Sequence, residues 1–290
     1  MIGSRVERLL DLAGLRAIHV TTSGDFLTEN TKTALMTEQS SDWFRWPLFA
    51  HRRASGLALS GHRQALVIAG MHRSGTSVLA GALGKLGAAL PSTLMPASDS
   101  NEDGHFESVL IHRLNDKILA DLGLSWASIG AIDPAVFDSF EAKVWVADIC
   151  EVIQREFGDA SLICVKDPRI CRLMPLWLKA FEECSIAPKI IVPVRNPLEV
   201  AASLKQRDGL LHGHAMILWL RHLLEAVRHT DGLPGVYLSN AQLISDWRGT
   251  LRGMSKSLDL KLGAIDPKIK VELDEFVKFN RKHHAFSDVA

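Results

Sequence analysis

"LVIAGMHRSGTSVLAGAL", residues 66–83, runs from an apolar stretch through a turn with two glycines into a second apolar stretch. The first part suits a strand buried on both faces. Beyond the turn, Val78, Leu79, Ala82, Leu83 and Leu86 recur at helical spacing, and Gly87 supplies a stop. A turn that joins a strand to a helix N-terminus aims several N–H groups, and the positive end of the helix dipole, at one point. Gly70 and Gly75 let the backbone curl around a tetrahedral anion. Ser74, Thr76 and Ser77 add hydroxyl donors, and Arg73 adds a planar fork of N–H groups. The two glycines have the spacing of the G-x-x-x-x-G-K-[ST] phosphate loop, but Thr76 stands where the lysine belongs. The cation lies inside the loop instead. A site for a magnesium triphosphate needs that terminal lysine and a metal-binding carboxylate, so the stretch predicts an anion site of another kind.

The texture continues outward from this loop. "SLICV" (161–165) reads as a second buried strand, followed by a helix carrying Leu173, Met174, Trp177, Leu178 and Phe181. "KIIVPV" (189–194) is a third, followed by a helix from Pro197, a residue suited to a first helical turn. A long helix over 214–229 and a short strand at "GVYL" complete the pattern. Strands alternating with helices predict an α/β fold in three layers, a mainly parallel sheet with helices on both faces. In such sheets ligands sit beyond the carboxyl ends of the strands. The first sixty-odd residues differ. A short amphipathic helix stopped at Gly14, a strand over 16–20 and a polar stretch with Trp43, Phe44, Trp46 and Phe49 read as an N-terminal extension or a remnant of an upstream segment. The division is therefore 1–62 and 63–290.

Composition excludes several classes. The chain has 290 residues, 47% apolar and 23% charged, with a formal net charge of zero. There is no global basic field for nucleic acid or an anionic membrane, so an anion site has to be local. No apolar run reaches the roughly 18 residues of a membrane span. The N-terminal residues are too charged for a secretory signal, and Cys150, Cys164, Cys171 and Cys184 show neither CxxC nor zinc spacing. The expectation is a cytoplasmic protein with free thiols and no metal. His212, His214, His283 and His284 read as solvated side chains, because no cysteine or carboxylate joins them at ligand spacing.

A second anion site follows the third strand. Arg195 stands just after it, and Ser203 lies two helical turns on, so both can converge on one ligand group. "ICVKDPRI" (163–170) places Lys166 and Asp167 at the end of the second strand. Lys166 and Arg169 flank Asp167, a poor setting for a divalent cation.

These segments resemble a family, the sulfotransferases that use 3′-phosphoadenosine 5′-phosphosulfate. "RSGTS" (73–77) is similar to their 5′-phosphosulfate loop, and "GMHRSGTS", "NEDGHFES", "KDPR" and "VRNPLEVAASL" follow in the order found in bacterial sulfotransferase-domain proteins. The likeness covers about 64–285 and implies a fold like that of the P-loop nucleoside triphosphatases. It implies the phosphosulfate nucleotide as co-substrate, no metal, and a small-molecule or glycan acceptor hydroxyl. Arg73, Ser74, Gly75, Thr76 and Ser77 would hold the 5′-phosphosulfate. Arg195 and Ser203 would hold the 3′-phosphate, with Arg281 and Lys282 closing over it. Lys166 matches a lysine that assists transfer in the soluble small-molecule enzymes, but Pro168 stands where their catalytic histidine falls. Carbohydrate and tyrosine sulfotransferases instead use a glutamate beyond the loop. The candidates here are Glu102, Asp103, His105 and Glu107. Glu107 opens a helix and is anchored, whereas Glu102 and Asp103 sit in a turn. His105, with a proton affinity suited to the task, is the alternative base. Two rival classes stay open at this point: a kinase-like P-loop enzyme and a nucleotide-binding module without activity.

Overall fold

A computed structural model of the protein describes residues 63–96 and 104–282. The predicted segment 1–62, Glu102, Asp103 and the histidine pair at 283–284 lie outside the described residues. Four strands, β1 (Arg63–Ile68), β2 (Leu162–Lys166), β3 (Ile186–Val194) and β4 (Gly235–Ser239), form a parallel sheet in the order β2-β1-β3-β4. Parallel pairing requires crossovers, and helices supply them. α1 (Thr76–Lys85), α2 (Val109–Asp121) and α3 (Phe140–Phe157) join β1 to β2. α4 (Ile170–Glu183) joins β2 to β3, and α5 (Pro197–Asp208) with α6 (His212–His229) joins β3 to β4. α7 (Asn240–Ser245), α8 (Trp247–Ser257) and α9 (Pro267–Lys282) follow.

Side chains alternate across each strand, so one sheet feeds two cores. Ala65, Val67, Ile163, Val165, Ile190 and Val192 pack with residues of α2 to α6. Leu66, Ile68, Cys164, Ile191, Val236 and Leu238 pack with α1 and α7 to α9. This is the α/β arrangement, with a parallel sheet and helices on both faces, that the continuous apolar strands predict.

β3 begins at Ile186, earlier than the stretch the sequence marks out, and it contains two prolines. Pro188 lies opposite Ala65 before pairing with β4 starts at Ile190. Pro193 lies opposite Leu238, beyond Ile191, the last β3 residue in register with β1. Each proline thus stands where β3 has one neighbour, which is where a strand tolerates a missing donor. The register sets Ile68 beside both Lys166 and Ile191, and Val194 beside Ser239. The carboxyl ends of all four strands therefore open on one edge. Gly70–Gly75 leave β1 there, Asp167 leaves β2, Arg195 leaves β3 and Asn240 leaves β4.

Candidate anion-binding site

Gly75 caps α1 in the left-handed region, φ 84°, with no capping side-chain hydrogen bond and no acid in the first turn. The leading N–H groups of α1 therefore point outward without a side-chain acceptor. A Cβ at Gly75 would lie 1.9 Å from Asn240 Oδ1, and one at Gly70 would lie 2.8 Å from Pro193 Cγ. Both glycines are required by close approach, and Gly75 also by its φ. Arg73 is left-handed as well, φ 68°. An L-residue persists there only when its surroundings hold it. They do: Arg195 Nη1 donates to the Arg73 carbonyl at 2.9 Å, and Arg73 Nε donates to Ser203 Oγ at 2.7 Å. Ser74 Oγ and Asn240 Oδ1 are buried without a hydrogen-bond partner. Leaving such an atom unsatisfied costs about 1–3 kcal/mol, so two of them beside one uncapped helix N-terminus mark a place for a polar ligand.

Arg195 and Ser203 do converge, as their spacing predicts, but the group on which they meet is Arg73. Arg195 Nε also donates to Glu199 at 2.7 Å, the nearby acid of its own helix. The loop and the second site are thus one network. Burial, then the neighbouring Arg207 and Arg195 charges, lower the Arg73 pKa to about 10. Three guanidinium groups crowding one loop favour an anion among them.

Lys166 is buried at the end of β2 and spends its ammonium on three acceptors. It donates to Glu107 Oε1 at 2.5 Å, the His105 carbonyl at 2.7 Å and Ser77 Oγ at 3.1 Å. Burial works against the Glu107 carboxylate charge. The Lys166 ammonium and the His112 ring more than offset it and hold the carboxyl below the usual range. Glu107 is not in the first turn of α2, as its sequence position suggests. Ser108 is the N-cap, its side chain accepting from Ile111 N at 3.0 Å. Glu107 precedes it, beside a short bridge between Ser108 and Leu94, in which Met95 N donates to the Glu107 carbonyl at 2.8 Å. That bridge supplies the anchoring the helix was expected to supply. His105 is half-buried, and burial lowers its pKa.

Asp167 is fully buried and takes the Arg169 backbone N–H at 2.8 Å and Arg169 Nη1 at 3.2 Å; Arg169 Nε continues to Asp116. Burial raises the Asp167 pKa, and the Arg169 charge opposes that. Glu107, His112 and Asp167 also offer ligand-type atoms within 4.8 Å of one another. Each carboxylate of that trio already has a cationic partner, Lys166 or Arg169. Arg281 falls in α9, but its side chain is not among those described.

Two site residues escaped the sequence reading. Asn240 carries the same signal as Arg195, a polar residue directly after a strand. Arg207 lies one helical turn beyond Ser203, on the same face. Among the described residues no helix is long and apolar enough to cross a membrane. A comparison with protein-family models finds no match, and neither does one with curated proteins.

Proposed function

We propose that the protein is a sulfotransferase that moves a sulfuryl group from 3′-phosphoadenosine 5′-phosphosulfate to an acceptor hydroxyl, on a carbohydrate or glycolipid. The observation that carries this reading is the Lys166 ammonium on the Ser77 hydroxyl. Ser77 holds the place from which magnesium-dependent loops bind their metal, and here a buried side-chain cation reaches it. A built-in cation at that point suits in-line transfer from a phosphosulfate without a metal. In this reading the fold is of the P-loop sulfotransferase kind, and the four free cysteines fit a reducing, cytoplasmic setting.

The α1 N-terminus, with Ser74, Gly75, Thr76 and Ser77, takes the 5′-phosphosulfate, and the unpartnered Ser74 Oγ gains an acceptor there. Arg195 and Ser203 take the 3′-phosphate, which sets the nucleotide apart from ADP. During transfer the bond from sulfur to the phosphate oxygen breaks and the bond from sulfur to the acceptor oxygen forms. Arg73 and Lys166 stabilise the leaving phosphate; a preorganised donor of this kind is worth about 10²–10³ in rate. As Lys166 turns toward that growing charge, Glu107 loses the partner that keeps its proton affinity low. The carboxylate then becomes a competent base for the acceptor proton, with His105 the alternative on the same segment.

Calorimetric titration with adenosine 3′,5′-bisphosphate, against ADP with and without Mg²⁺, tests the reading. Tight, magnesium-independent binding of the bisphosphate with much weaker ADP is the expected result. Preference for Mg·ADP would replace it with a kinase-like enzyme, and no binding of either would leave a fold without the nucleotide function.

A further inference from the structure

The segment 123–130 between α2 and the 3-10 turn at Pro134–Asp138 has no regular secondary structure, yet donors from two helices pin it. Arg172 of α4, 1% exposed, donates to the Ser128 carbonyl at 2.7 Å and the Gly130 carbonyl at 2.6 Å. Arg221 and His214 of α6 meet the Ile129 and Ala127 carbonyls at 3.1 and 2.7 Å. Glu225 in turn holds Arg172 Nε at 2.6 Å. A loop held at four carbonyls is a rigid wall, and what it presents is Trp126. The indole meets the His72 ring of the anion loop edge-on at 4.9 Å. On it lies the Arg207 guanidinium, 5.7 Å from the ring centroid. Arg207 uses Nε on Asp208, at 2.8 and 3.0 Å, while Nη1 and Nη2 meet no acceptor among the described residues. His72 Nε2, beside the indole, is likewise shielded and without a partner.

We infer that Trp126 and Arg207 form the acceptor subsite, and that it takes a saccharide carrying a carboxylate. The inference rests on the sulfotransferase reading and deepens it by naming the acceptor class. The part of the indole left exposed beside Arg207 offers an apolar surface for the C–H groups of a pyranose. The two terminal nitrogens of Arg207 present a planar pair of N–H groups, which matches the two coplanar oxygens of a carboxylate. Arg207 is close enough to Arg73 and His105 to lower the proton affinity of both, so an anion bound on it lies next to the transfer site. Burial keeps His72 neutral, and the charges it faces are Glu107, Arg169 and Arg207, with His222 as a further ring. A neutral imidazole leaves one ring nitrogen to accept from, and the other to donate to, a sugar hydroxyl.

The test titrates the full chain with 4-nitrophenyl β-D-glucuronide and 4-nitrophenyl β-D-glucoside, each with and without saturating adenosine 3′,5′-bisphosphate. The expected result is a preference of about tenfold or more for the glucuronide, the size of one charge-assisted contact. R207Q should erase the preference while changing bisphosphate affinity by a smaller factor than glucuronide affinity, R207K should keep part of the preference, and W126A should weaken both glycosides. Equal binding of the two glycosides by the wild-type protein would overturn the inference. So would an R207Q variant that keeps the preference, or one that loses bisphosphate affinity instead, which would move Arg207 to the nucleotide site. Because Arg207 is partly exposed on a last helical turn, a matching unfolding curve for R207Q separates lost recognition from lost fold. Failure of the bisphosphate to bind wild-type protein, with an Arg207-dependent glucuronide preference intact, would sink the sulfotransferase reading and keep the subsite.

Discussion

Lys166→Met is the perturbation on which the site depends most directly. Lys166 is 2% exposed and its partner Glu107 4%, so neither charge can turn to bulk water when the other is removed. Deleting one member of a buried pair costs about 3–5 kcal/mol, mostly from the charge left behind. Here the stranded carboxylate would keep only His112, whose Nδ1 lies 3.9 Å away. At about 2–4 °C per kcal/mol for a domain of this size, the loss is a fall of roughly 6–20 °C in Tm. Lys166→Met combined with Glu107→Leu replaces both charges by apolar groups and should recover most of that loss, because the desolvation cost goes with them. Bisphosphate affinity and transfer should not recover, since the cation at Ser77 is gone in either variant. Urea unfolding of the two singles and the double, with bisphosphate calorimetry on each, reads both effects. Single-variant costs that simply add in the double, within about 0.5 kcal/mol, would refute the pairing. Full affinity in the double would refute the role given to the ammonium.

The same pair sets an acid limb. The Glu107 carboxyl is held below its usual range in the folded state, so its contribution to stability is complete above the ordinary carboxylate pKa of about 4.3 and drains away as pH falls below it. Urea midpoints should therefore fall more steeply between pH 5 and 3, roughly, in wild-type protein than in Glu107→Gln; parallel curves would contradict this. Gly75→Ala forces a left-handed alanine, about 1–2 kcal/mol, and drives its Cβ into Asn240 Oδ1. It should lower both Tm and bisphosphate affinity, and Asn240→Ala in the same chain should relieve the contact but not the dihedral cost. Arg73→Ala should cost about 10²–10³ in transfer rate. Ser203→Ala, which removes the anchor of Arg73 Nε together with a contact to the 3′-phosphate, should cost about tenfold in rate at saturating nucleotide, measured with the same acceptor.

Much of this site was legible because its chemistry is local in sequence. The curl of the loop needs glycine at Gly70 and Gly75, and the strands need unbroken apolar runs between two cores, so both leave signals within a few residues. Arg195 and Ser203 were legible as a pair for the same reason, since eight residues on a helix span two turns. Their meeting point was not. Arg73 lies 130 positions from Ser203 in the chain, and only the β1–β3 register brings them together. The start of α2 was misplaced although Ser108 carries an N-cap signal, because the acid before it looked like a first-turn residue. Trp126 sits in a segment with no periodicity, and the donors that fix it, Arg172, His214 and Arg221, read in isolation as ordinary helix residues. Net charge hid the rest. A chain with as many cations as anions gives no sign that Arg73, Arg195 and Arg207 gather at one loop. The acids that balance them are placed to the side. Glu199 and Asp208 hold Arg195 and Arg207 through Nε, which fixes each guanidinium by its inner nitrogen. For Arg207 that leaves both outer nitrogens for a ligand. An acid placed there orients its arginine without filling the seat of the anion, and that placement, rather than any excess of positive charge, is what makes a neutral protein a candidate anion binder.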